Sequence, residues 1–184
     1  MGFDLHGLNP VEHKASSKYP TLASLKGSNL AERNRLFKKY EELESCYWEE
    51  LDARENDNPG RYFRSNVWWW RTMWMYVYFN CDDFLTEDDY NEGQSNGGHE
   101  ISASKASAIA KKMFEHIESG EAAGFEKHHK KVMDEARENN EKLEKEGAEK
   151  YGEDWDWAAS YPFEVGVLRE FAEFCSQSGG FSIC

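Results

Sequence analysis

Apolar residues recur along this chain in two rhythms. Phe3 and Leu5 alternate with polar neighbours ahead of Asn9-Pro10, and Phe181 and Ile183 do the same after Gly179-Gly180. A period of two marks half-buried strands, and the two terminal segments are expected to pair with each other. Elsewhere the period is helical. Residues 11–28 read as an irregular segment ending at a helix cap, Ser28 or Asn29; from there Leu36, Tyr40, Leu43, Tyr47 and Leu51 predict one amphipathic helix to about Asp57, stopped by "NDNPG". Ser65 or Asn66 caps a second helix from Val67 to about Cys81. It is apolar all round, because Trp68, Trp69 and Trp70 fall at successive steps of about 100°, and such a helix belongs in the centre of a fold.

A glycine-rich loop over residues 92–99 precedes a third helix, opened by Ser102 or Ser104, lined by Ile109, Met113 and Ile117, and closed by Gly120. The fourth, Gly124 to about Gly147, has only a thin stripe of Phe125, Val132, Met133, Ala136 and Leu143 among many charges, so it should project or pack on one narrow face. Pro162 opens the fifth, whose Val165, Leu168, Phe171, Ala172 and Cys175 face inward. The expected fold is mostly α: a single compact helical domain, 1–184, of about five helices with a small two-stranded β element from the termini, and 121–156 as a charged, projecting helical segment.

Composition adds a constraint on partners. The chain carries 35 acidic and 22 basic side chains, a net charge of -13, which argues against a nucleic-acid binder held by phosphate contacts. No stretch approaches the length of a membrane span, and the opening residues lack the layout of a secretory signal, so a cytoplasmic location is expected. The four cysteines, Cys46, Cys81, Cys175 and Cys184, show no CxxC spacing and read as free, mostly buried thiols.

The charge is uneven. Residues 82–100 hold seven acids and no Lys or Arg, and residues 121–156 hold twelve acids against seven bases, yet residues 59–81 hold three arginines and no acid. That last stretch, "RYFRSNVWWWRTMWMY" at its centre, is the candidate site. Arg71 has Val67, Trp68, Trp74 and Met75 three and four positions away, so its guanidinium emerges from an aromatic stripe. A buried arginine requires a carboxylate, carbonyls or a bound anion. Two readings stay open: an internal ion pair, or a pocket in which Arg61, Arg64 and Arg71 hold phosphate or carboxylate while Trp68 and Trp74 stack a planar ring.

Other candidates carry less chemistry. The loop "NEGQSNGGHEIS" lacks the Lys and spacing of a phosphate-binding loop, and His128-His129 lie on a charged helix and read as solvated. No metal motif and no Gly-x-Ser-x-Gly is present, so no catalytic residue, metal or cofactor is assigned. Asp4, His6, His99 and Glu100 would have to be brought together by the fold to act as acid and base.

The motifs "MGFDLHGLNP", "YFRSNVWWWRTMWMYV", "HIESG" and "YPFEVGVLREFAEFCSQSGGFSIC" together resemble a family of small bacteriophage-encoded proteins with no assigned chemistry, over about two thirds of the chain. The resemblance implies a phage origin and expression in the cytoplasm of a bacterial host. Members of that family often hold a Cys-rich, zinc-finger-like insertion between the fourth helix and the "YPF" segment. This chain has "EKLEKEGAEKYGEDWDW" there, so no zinc role carries over.

The expected function is that of a phage accessory protein binding a small anionic, ring-bearing, nucleotide-derived molecule, with sequestration of a host immune signal as its purpose. The competing expectation is an acidic, DNA-mimic-like inhibitor of a host protein, using residues 82–100 and 121–156. Nucleic acid and membrane are not expected partners. A second copy of the chain or a host protein remains open.

Overall fold

The two terminal segments pair as their alternation suggests. In the computed structural model, which describes residues 2–14 and 16–184, β1 (Gly2–Gly7) runs antiparallel to β4 (Phe181–Ile183) with Leu5 opposite Ile183. Met1 of the predicted first strand and Ala15 of the predicted irregular segment lie outside the described residues. The pair is the middle of a four-stranded antiparallel sheet rather than a two-stranded element, because β2 (Tyr62–Asn66) adds to β1 and β3 (His99–Ile101) adds to β4. One face is apolar: Phe3, Leu5, Phe63, Ile101, Phe181 and Ile183 are all buried. The other presents Asp4, His6, Arg64 and Glu100 to solvent, the division expected of an antiparallel sheet with one covered side.

Three helices cover the apolar face. They are α4 (Val67–Asn80), α6 (Ala103–Ser119) and α8 (Val165–Gln177), and their Trp70, Met73, Trp74, Ile109, Met113, Leu168, Phe171 and Phe174 join the sheet residues in one core. Asn66 caps α4, its side chain accepting from the N–H groups of Trp68 and Trp69 at 3.0 and 3.1 Å. Ser102 and Gly120 bound α6 as expected, Gly120 at φ 85. Pro162 lies before α8 rather than in its first turn; Glu164 is the N-cap.

The helix count exceeds the expectation, with eight among the described residues. The predicted helix to Asp57 is two, α2 (Leu30–Lys39) and α3 (Glu41–Asp57), broken at Tyr40, whose backbone is extended. Charge accounts for the break: Lys38 and Lys39 suit a C-terminus, and Glu41, Glu42 and Glu44 suit a fresh N-terminus. None of the stripe residues Leu36, Tyr40, Leu43, Tyr47 and Leu51 is buried; α2 buries the neighbouring Phe37 instead, and α3 buries no residue.

Two further helices are short. Pro20 opens α1 (Pro20–Ser24) inside the segment read as irregular, and a capping box of Thr86 and Asp89 opens α5 (Glu87–Glu92). The long α7 (Glu121–Lys145) buries a narrow stripe, Ala122, Met133, Ala136 and Asn140. Asn140 exchanges two 2.9 Å hydrogen bonds with the backbone of Asp156, which docks the 3-10 turn Trp157–Ser160 on α7.

Asp89 joins three elements. Its side chain, 5% exposed, accepts hydrogen bonds from Lys105 of α6, from the Thr86 N–H and hydroxyl, and from His99 of β3 at 3.0 Å. Burial pushes its carboxyl up, but the bonds from Lys105, Thr86 and His99 outweigh that and hold it well below the usual carboxylate range. A depressed folded-state pKa gives stability that is complete above the unfolded value, about 3.9, and is lost as pH falls towards the folded one. Denaturant melts from about pH 6 down to about pH 2 should therefore show wild type losing more stability than Asp89→Asn; parallel profiles would contradict this role.

Candidate functional site

Close backbone packing at the start of β2 sets the first functional group. The turn Asn58-Pro59-Gly60 ends α3, and a Cβ on Gly60 would lie 2.2 Å from the Gln177 carbonyl oxygen, so only glycine fits. The Arg61 N–H donates to the Asn58 carbonyl at 2.9 Å, and the Arg61 carbonyl accepts from Gly7 at 3.0 Å. The side chain of Asn58, 1% exposed, accepts from the N–H of His13 at 2.7 Å and donates to the Arg54 carbonyl at 2.7 Å. One asparagine thus clamps residues 13–14 to the end of α3.

These contacts frame a cleft of about 450 Å³ between residues 12–28, α2 and α3. Five cationic side chains line it, Lys14, Lys26, Arg33, Arg54 and Arg61, against one carboxylate, Glu12. Glu12 pairs with Arg61 at 2.6 Å. Arg33 donates to the Tyr47 hydroxyl at 2.6 Å and sits 5.7 Å from that ring's centroid. The Nε atoms of Arg33 and Arg54 are buried with no hydrogen-bond partner among the described residues. A buried unpaired donor on a charged group is costly, and here two occur in one cleft.

Of the neighbouring carboxylates, Glu55 is pushed up by burial and feels the charges of Arg54 and Arg61, whereas Asp57 and Glu50 are engaged elsewhere. Asp57 pairs with Lys18 and accepts from the Tyr19 hydroxyl at 2.9 Å. Burial pushes the Glu50 carboxyl up, but the Leu22 N–H at 3.0 Å and the Thr21 hydroxyl at 2.7 Å reverse this and hold it below its ordinary value. Glu50 therefore fastens α1 onto α3. Tyr19, Leu22 and Leu25 supply the aromatic and aliphatic lining, so the cleft offers apolar contact beside its positive field.

The five residues predicted as one site are dispersed. Arg61 lines this cleft. Arg64 is on the solvent face of the sheet, 3.7 Å from Asp4. Trp74 is 0% exposed, stacked on Trp70 with centroids 5.3 Å apart and donating to the Tyr90 carbonyl at 3.2 Å. Arg71 lines a second cleft, where it donates to the Tyr161 hydroxyl at 3.5 Å, while Trp68, 39% exposed, meets the Tyr161 ring edge-on but does not line that cleft. Arg71 has no carboxylate within 4 Å among the described residues, so it is not a member of an internal ion pair there.

The remaining candidates separate in the same way. Strand register places His6 opposite Ser182 and Ser182 opposite Glu100 on the outer face, with no hydrogen bond joining His6 to either, while His99 faces inward to Asp89. His128 is exposed, whereas His129 is half-buried and donates to the Tyr161 carbonyl at 2.6 Å, contrary to the expectation that both are solvated. Cys81 and Cys175 are buried but Cys46 and Cys184 are exposed; burial pushes the Cys81 thiol up to about 12. Among the described residues no His/Cys/Asp/Glu group is placed to hold a metal, and no helix is long and apolar enough to cross a membrane.

Lys14, Lys26, Arg33 and Arg54 escaped the sequence reading, although for the first three a signal was present. Residues 11–40 contain seven bases and two acids, a larger basic excess than residues 59–81; Arg54 carried no such signal, being the one base among eight acids in residues 41–58. The tryptophans drew attention to the smaller island. Compared with protein families, curated proteins and solved structures, the chain matches none.

Proposed function

We propose that the protein binds a small, multiply charged anion in the cleft of Arg33, Arg54 and Arg61. The observation that carries this reading is the pair of buried, unpartnered guanidinium Nε atoms in a lining of five cations and one carboxylate. Guanidinium forks hold phosphate and carboxylate bidentately, and a charge-assisted bond is about twice as strong as a neutral one. Tyr19, Tyr47 and Leu25 beside the cations suit a ring, which makes a nucleotide or nucleotide-derived molecule the fitting ligand class. Capture without turnover is the simplest chemistry for such a lining, and sequestration of a host signal inside a bacterium would be its use by a phage protein.

An acidic docking surface has weaker support. Along α7, Lys131–Glu135, Asp134–Arg137 and Glu141–Lys145 pair within the helix at 3.4–4.0 Å. These pairs break up the carboxylates of α7, although residues 121–156 keep an excess of five acids and residues 82–100 hold seven acids with no Lys or Arg.

Thermal melts with pyrophosphate, ADP, ATP, ADP-ribose and a cyclic dinucleotide test the proposal. A ligand at 100 times its Kd stabilises the folded state by about 2.7 kcal/mol, or roughly 5–10 °C for a chain of this size. At least one of the five should give that shift. If none moves the melting temperature, the cleft is not an anion site.

A further inference from the structure

The second cleft, about 350 Å³ and sharing no lining residue with the basic one, is built for different chemistry. Its cation is Arg71, exposed and free of any carboxylate within 4 Å among the described residues; Met75, Tyr90 and Tyr161 form its apolar walls. No acid lines it. In a chain with so large an excess of carboxylates, an arginine left with one 3.5 Å contact to a tyrosine hydroxyl retains most of its hydrogen-bonding capacity for a ligand.

Tyr161 is held firmly. Its carbonyl accepts from His129 Nε2 at 2.6 Å and from the Thr72 hydroxyl at 3.3 Å. Its ring meets Trp68 edge-on at 5.1 Å, and Trp68 lies parallel within 5° to Trp157. His129 is itself stacked on Phe125, with centroids 5.5 Å apart. The aromatic wall is thus fixed in place before any ligand arrives, which lowers the ordering cost of binding.

We propose that this cleft binds a planar aromatic acid carrying a single negative charge, with Arg71 on the carboxylate and Tyr161, Tyr90 and Met75 on the ring. One cation in an apolar lining does not suit a polyphosphate, and Arg71 repels cationic ligands. The volume is near the lower end of small-molecule sites, about 300–1,000 Å³.

Calorimetric titration with 2-naphthoate, its neutral amide and pyrophosphate tests this. Wild type should bind 2-naphthoate one to one with a Kd below about 1 mM, and the amide at least tenfold more weakly. Arg71→Gln, a change at an exposed position, should weaken 2-naphthoate at least tenfold, while Arg33→Ala leaves it unchanged. No measurable naphthoate binding, equal binding of acid and amide, indifference to Arg71→Gln, or loss of naphthoate with Arg33→Ala would each overturn the proposal. The pyrophosphate arm reports on the basic cleft separately, so the two readings fail independently.

Discussion

Trp74→Ala lowers the melting temperature by roughly 6–20 °C. The indole is wholly buried, stacked within 11° of the Trp70 ring plane, and its N–H satisfies the Tyr90 carbonyl. Gly93 lies against it so closely that a Cβ there would be 2.3 Å from Trp74 Nε1. Truncation removes apolar contacts, leaves a cavity and strands a carbonyl acceptor, and Trp→Ala changes in cores cost about 3–5 kcal/mol. At roughly 2–4 °C per kcal/mol for a chain of this size, the shift is unmistakable by circular dichroism. The same change at a ligand-contacting tryptophan would leave the melt nearly unchanged and remove binding. The melt alone therefore distinguishes a core residue from the ring-stacking role that the sequence suggested.

The basic cleft predicts effects of opposite sign on stability and binding. Arg54→Met removes one of the clustered charges and one buried, unpaired Nε while retaining much of the side-chain volume. The ligand-free protein should gain about 1 kcal/mol, or roughly 2–4 °C. Arg33→Ala combined with Arg54→Ala should weaken anion binding by about two orders of magnitude or more, since each charge-assisted bond contributes about 1.5–3 kcal/mol. Structural arginines behave in the opposite way, because breaking a buried pair typically costs about 3–5 kcal/mol. Melts of the three proteins with and without pyrophosphate separate the cases. A destabilised Arg54→Met protein would assign Arg54 to the scaffold.

The parts of this fold legible in the sequence are those whose pattern is local and strong. The alternation of Phe3 with Leu5 and of Phe181 with Ile183 announces β1 and β4, and Asn66, Ser102 and Gly120 mark helix ends by their own chemistry. β3 is too short, at three residues, for alternation to register, and β2 is obscured because Phe63 and Ser65 run straight into the aromatic helix. The break at Tyr40 was hidden by apolar spacing that continues across it, although the switch from Lys38-Lys39 to Glu41-Glu42 was there to be read. The site was harder still. Arg33 is distant in sequence from Arg54 and Arg61 and joins them because α2 packs back on α3, with Arg33 on the Tyr47 hydroxyl, while Asn58 and Glu50 close the cleft by fastening the N-terminal segment to α3. Trp68 and Arg71, one helical turn apart, are the part of the predicted set that local geometry could bring together; both touch Tyr161, but of the two Arg71 alone lines the second cleft.

Calorimetric titration of pyrophosphate into wild type and into the Arg33→Ala/Arg54→Ala double variant, at low and at physiological salt, tests the central claim most directly. The expected result is saturable one-to-one binding to wild type that weakens as salt rises, with the double variant folded and at least 100-fold weaker. Absence of binding to wild type, or equal binding to both proteins, would contradict an anion site at Arg33, Arg54 and Arg61.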